Sequence, residues 1–164
     1  MATQQAKNDP DRYVILEFTG TARAIFKDIF LLGDEDVHMV ATYIHTGRLF
    51  VVYDKTQYIA MGLVLVAPTA QSDTAEIKNI AVLKAHQHQG IGSRLIEHVV
   101  AEMTPETRYL LVGTGDADVQ NILFYLKNGF RFDSIRPRFF DQYSKPIMAN
   151  GVLLRDMVVL KRQL

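Results

Sequence analysis

Cysteine is absent from the 164 residues, and with it goes every chemistry that needs a thiol: no thiolate nucleophile, no acyl-cysteine intermediate, no cysteine zinc site. A dominant charge is missing too. Eighteen basic residues face eighteen acidic ones, for a formal net charge of zero, so no overall field draws the chain to nucleic acid or to an anionic membrane, and neither is expected as a partner. Long apolar runs are lacking: the longest, Ala60 to Pro68, falls far short of the roughly 20 residues of a membrane span. The opening MATQQAKNDPDR has no apolar core of the kind a secretion signal carries. The cytoplasm is the expected location, and a cysteine-free chain agrees with it.

The length suits one domain able to bury a core without staples. Residues 1–11 read as a frayed polar tail and 12–164 as the folded domain. Strands are expected at 13–19, 48–54, 58–67, 74–83, 108–113, 130–135 and 152–160, where β-branched and aromatic residues cluster. Helices are expected at 21–32, 37–45, from 91 to about 103, and at 119–128. Asp34-Glu35-Asp36 forms an acidic opening to the second of these, and Gly129 suits a left-handed cap after the last. The order is that of a mixed α/β domain.

One stretch stands out, HQHQGIGSRLIEHVV at 86–100, where Ile91, Leu95, Ile96, Val99 and Val100 repeat at helical spacing. Glycines in a first helical turn cost stability, so Gly90 and Gly92 call for a reason. The first amides of a helix lack internal partners and carry partial positive charge; with no Cβ at 90 and 92, Gln87 to Ser93 can cradle a phosphate. A tight turn whose glycines serve packing is the other reading. No Lys-Ser or Lys-Thr follows at P-loop spacing, and Leu95 stands where a dinucleotide fingerprint needs its third glycine. Gly113-Thr114-Gly115-Asp116 also follows a strand and resembles a methyltransferase loop for S-adenosylmethionine, which leaves that chemistry as a rival.

Gln87-x-x-Gly90-x-Gly92, placed after Ile80-Ala81-Val82, resembles the Q/R-x-x-G-x-G/A signature of the GNAT superfamily of acetyl-CoA-dependent N-acetyltransferases. Asn121-x-x-Phe124-Tyr125-x-x-x-Gly129-Phe130 resembles its second signature, and the element order matches over roughly residues 13 to 161. The resemblance implies a GNAT fold, a single α/β domain with a central mixed, mostly antiparallel sheet flanked by helices. It implies acetyl-CoA as co-substrate and a small-molecule or peptide amine as acceptor. Its cofactor roles fall on Ile80, Ala81 and Val82, whose backbone would pair with the pantetheine arm. Gln87, His88, Gln89, Gly90, Ile91, Gly92 and Ser93 would hold the pyrophosphate. Asn121 would bind the pantetheine amide, with Phe124 beside it.

Direct transfer needs a deprotonated amine and a proton or hydrogen bond for the departing thiolate. Tyr125, four residues after Asn121 on the same helical face, holds the position of the family's usual general acid, and a phenol stays protonated at neutral pH. Glu76 is the candidate base, six residues before Val82 on what alternation makes the same strand face, with EIKNIAV matching the spacing some histone-acetylating members use; a solvated carboxylate paired with Lys78 is the alternative. His86 and His88 lack a third ligand, and no metal is expected. Arg131, Arg136 and Arg138 read as a solvated face or an acidic-substrate contact. Phe139, Phe140 and Tyr143 either cap an acceptor pocket or bury a loop. The hydrophobic last strand can pair across a twofold axis into a homodimer. A non-catalytic acyl-CoA-binding module would keep the cradle without the chemistry.

Overall fold

The β-branched and aromatic segments assemble into a seven-stranded sheet in the computed structural model, which describes residues 12–164; the expected tail at 1–11 lies outside them. The sheet comprises β1 (Tyr13–Glu17), β2 (Arg48–Asp54), β3 (Ala60–Pro68), β4 (Thr74–Val82), β5 (Tyr109–Gly115), β6 (Arg131–Arg136) and β9 (Met157–Gln163). Their spatial order is β1-β2-β3-β4-β5-β9-β6. Every neighbouring pair is antiparallel except β4 and β5, so the sheet is mixed and mostly antiparallel. A separate two-stranded hairpin joins β7 (Met148–Ala149) to β8 (Val152–Leu153).

Helices cover both faces. A 3-10 turn at Arg23–Phe26 leads into α1 (Lys27–Gly33), then α2 (Val37–Tyr43) follows, and the pair buries Phe30, Val40 and Tyr43 against Leu49, Leu63 and Ala81. On the other face α3 (Ile91–Glu102) and α4 (Val119–Lys127) bury Leu95, Ile96, Val99 and Tyr125 against Val64, Ile77, Leu110 and Leu160. No helix among the described residues is long and apolar enough to cross a membrane.

Three expectations change. The single strand expected at 152–160 splits, because the amides of Arg155 and Asp156 turn to the Asp116 carboxylate at 3.2 Å each instead of continuing the ladder. The last strand cannot pair across a twofold axis: β9 sits between β5 and β6 with both edges occupied. Glu76 does not share a face with Val82. Val66 pairs with Ile77 and Leu65 with Asn79, so Lys78 is an extra, bulged residue and the alternation resets there. Ala75 and Ile77 before the bulge, and Ile80 and Val82 after it, all turn toward α3 and α4, which sends Glu76 to the opposite face.

Candidate active site

The parallel pairing of β4 with β5 covers only Thr74–Ile77 against Tyr109–Val112. Beyond it β4 stays with β3 as far as Val82, while β5 follows β9 as far as Gly115. The two central strands therefore part, and the β4 backbone from Asn79 to Val82 turns one edge to an open wedge. This wedge is a cleft of about 740 Å³.

Of the expected cofactor residues, Ile80, Ala81 and Val82 line the cleft from β4, Gln87, His88 and Gly90 to Ser93 from the loop, and Asn121 and Phe124 from α4. Tyr125 lines it too. Gln89 does not: its side chain turns away, accepting from the Tyr13 hydroxyl at 2.8 Å, so only its backbone can serve the loop. Ile91 is 2 % exposed and belongs to the core, which leaves its amide as its contribution. Gln87 donates to the Val82 carbonyl at 2.9 Å and ties the loop to the strand that precedes it.

The two glycines have different reasons. Gly90 caps α3 at φ +78°, and a Cβ there would meet nothing within 4 Å; it is needed for its left-handed backbone and leaves the space above it open. His88, also at positive φ, shares the sharp turn. A Cβ on Gly92 would lie 3.0 Å from Phe124 Cζ, so this glycine lets the α4 aromatic ring pack on α3. The phosphate and packing readings thus divide between the pair. Beyond Gly90, α3 begins, and the amides of Gly90, Ile91, Gly92 and Ser93 donate to no acceptor among the described residues. They form an anion cradle at the end of a three-turn helix.

Asp118 caps α4, accepting from the Asn121 amide at 3.2 Å and from Asn121 Nδ2 at 2.7 Å. Asn121 therefore stands at the rim with its side chain held by its own helix cap. One turn on, Tyr125 is 5 % exposed, packed between the rings of Phe124 and Phe130, and its hydroxyl makes no hydrogen bond to another described residue. Burial, helped by Asp118, pushes this phenol above its ordinary range, so it is a proton-bearing donor throughout neutral pH.

Glu76 lies in a second hollow at the other end of β4, 2.8 Å from Arg136 and 3.3 Å from Lys78. Burial works to raise its carboxyl, but Arg136 and Lys78 outweigh that and hold it below the ordinary value. The pairing with Lys78 named as the alternative is present, with Arg136 added. Arg131 reaches the Leu126 and Phe130 carbonyls and Arg138 pairs with Asp141, so the three arginines form no common acidic-ligand site. Gly113 and Gly115 lie within β5, where a Cβ would overlap Met157 and Leu154; packing, not a cofactor loop, accounts for them.

Three cleft residues carried no functional signal in the sequence: Asp34 and Glu35, read as a helix opening, and Asn79 all line the cleft. Phe140 and Tyr143, for which a pocket cap was one of two readings, line it as well, whereas Phe139 does not. Asp34 accepts from the Tyr43 hydroxyl at 3.0 Å, and that oxygen accepts from Asn79 Nδ2 at 2.9 Å. Burial raises the Asp34 carboxyl above its ordinary value, although the Tyr43 and Tyr143 hydroxyls work the other way.

Residues 45–132 match the model of the acetyltransferase (GNAT) domain. An uncharacterized N-acetyltransferase of Bacillus subtilis, YvbK, is 29% identical over 137 residues, covering 81% of this chain and 85% of that protein. A GNAT family acetyltransferase from Elizabethkingia anophelis, solved with acetyl-CoA bound, is similar at 33% identity and a TM-score of 0.85, over 94% of this chain and 99% of its own. An acetyltransferase of Bacillus subtilis solved in complex with CoA is 28% identical with a TM-score of 0.81, over 93% and 99%.

Proposed function

This chain belongs to the GNAT family of acetyltransferases, and on that premise we propose that it transfers an acetyl group from acetyl-CoA directly to a primary amine. The carrying observation is the wedge between β4 and β5, which sets a free strand edge, an unpaired amide cradle and a buried phenol around one cleft. Bound acetyl-CoA would supply an acyl carbon activated as a thioester. The relatives solved with acetyl-CoA and with CoA support this choice of co-substrate.

In this reading the β4 edge at Ile80, Ala81 and Val82 pairs with the amides of the pantetheine arm. The cradle from Gly90 to Ser93 receives the diphosphate, and Asn121 exchanges its Asp118 bond for a pantetheine amide. A lysine-like amine, of pKa about 10.4, sheds its proton at a cost of about 4.6 kcal/mol at pH 7 before it attacks. As the carbon–nitrogen bond forms and the carbon–sulfur bond breaks, the Tyr125 hydroxyl donates a hydrogen bond to the sulfur, and the proton that the new amide nitrogen sheds passes through solvent to the departing thiolate, leaving acetylated amine and free thiol. Burial keeps the phenol protonated, so it serves as a hydrogen-bond donor rather than a ready proton source. Glu76, held by Arg136 and Lys78 away from the cleft, enters this proposal as a structural anchor for Arg136 and not as the base.

The test is a panel of primary amines with acetyl-CoA, read as free thiol and acetylated product. Amine-dependent thiol release supports the proposal. Cofactor binding with no acetylated amine would instead mark a non-catalytic acyl-CoA module.

A further inference from the structure

The wedge has a second mouth, on the face opposite α3 and α4. The 137–156 segment between β6 and β9 crosses it and is strapped to the turn between α1 and α2, where Asp36 accepts from the Ser144 amide at 2.6 Å and from Ser144 Oγ at 2.5 Å. Under this strap Asp34 and Glu35 stand on one wall and Phe140 and Tyr143 on another, with their rings 5.0 Å apart. None of the ion pairs among the described residues engages Asp34 or Glu35, and Lys78, the lysine lining the cleft, is spent on Glu76.

The half-buried Asp34 carboxylate accepts from the Tyr43 hydroxyl and the Asp36 amide and from the Tyr143 hydroxyl, yet no cation among the described residues neutralises its charge, so a ligand cation would add the missing counter-charge. Asp34 is also held in place, since the Asn79–Tyr43 bond chain fixes one of its oxygens from the central strand. A second observation points to a donor-bearing ligand. Asn79, 4 % exposed and part of the same wall, keeps its Oδ1 without a hydrogen-bond partner among the described residues. Carboxylate, unsatisfied carbonyl and aromatic faces together suit an ammonium group.

We propose that Asp34 determines acceptor specificity and that the acceptor is a small diamine, whose distal ammonium docks on Asp34 against Phe140 and Tyr143 while its other amine, neutral, reaches the thioester beside Tyr125. This rests on the acetyl-transfer reading above. The strap confines the space around Asp34, which favours a short flexible chain over a folded protein.

The experiment compares 1,5-diaminopentane with n-hexylamine at saturating acetyl-CoA, for the unaltered protein, Asp34→Asn and Phe140→Leu. The unaltered protein is expected to favour the diamine by at least about tenfold in kcat/KM, in line with one charge-assisted contact. Asp34→Asn should bring that ratio to within about twofold of one, through KM rather than kcat, and Phe140→Leu should raise the diamine KM several-fold. A preference that survives Asp34→Asn, or an unaltered protein without a preference, overturns the inference while the acetyl-transfer reading stands on its thiol release and its acetyl-CoA thermal shift. Failure of that reading looks different: neither a thermal shift with acetyl-CoA nor thiol release with any amine, which overturns both. If Asp34→Asn does not fold, an unchanged diamine KM in Phe140→Leu is itself contrary.

Discussion

In the proposed mechanism Tyr125 carries the chemistry at the scale of single residues. Tyr125→Phe keeps the ring packed between Phe124 and Phe130 and removes only the donor, so kcat should fall by about 100-fold with acetyl-CoA affinity unchanged by calorimetry; equal turnover would remove Tyr125 from the mechanism. Glu76→Gln makes the converse case. It should leave kcat/KM within about threefold but lower stability by about 1 to 2 kcal/mol in a urea titration, since Arg136 loses its charged partner. Gly90→Ala should cost about 1 kcal/mol from φ +78° alone and should also weaken acetyl-CoA binding by calorimetry, because the added methyl enters the open space above the cradle; unchanged affinity would take Gly90 out of the diphosphate site. At this scale the sequence was most legible where function is local. Gln87 to Ser93 and Asn121 to Tyr125 each lie within one loop or two helical turns, so spacing alone sets their geometry. Asp34 gave no such signal, because the role proposed for it depends on Tyr43, Asn79 and Tyr143, which the fold brings from three other segments.

Among the elements, one bulge decided more than any propensity. Strict alternation puts residues 76 and 82 on one face; the extra residue at Lys78 reverses that, and nothing in EIKNIAV announces it. The 152–160 run failed similarly, drawn off its strand by a carboxylate 40 positions away. The strap between the α1–α2 turn and the 137–156 segment is the element contact most open to test. Asp36 is held well below the ordinary carboxyl value, chiefly by Ser144. A depressed folded-state value means stabilisation that is full above the unfolded value, about pH 4, and is lost progressively as pH falls from there through the folded-state value. The Tm difference between the unaltered protein and Asp36→Ala should therefore be full at pH 7 and narrow steadily below about pH 4. A difference independent of pH would show that the strap does not rest on the ionised carboxylate.

Taken whole, the molecule is a sheet with a core on each face and one parallel pairing that is abandoned halfway. Strand and helix order was readable because apolar periodicity records burial on two faces. The parting of β4 from β5 was not readable from periodicity, since RYLLVG and NIAV look like ordinary buried strands; it came only with the resemblance to a family. In the proposed reading that parting, together with the unpaired amides from Gly90 to Ser93, receives acetyl-CoA. It is tested most directly by melting the protein with increasing acetyl-CoA, with S-adenosylmethionine as the control. At a hundredfold excess over Kd, linkage gives about 2.7 kcal/mol, or a rise in Tm of about 5 to 10 °C for a chain of this size, and no rise with the control. A Tm unmoved by saturating acetyl-CoA would contradict the account.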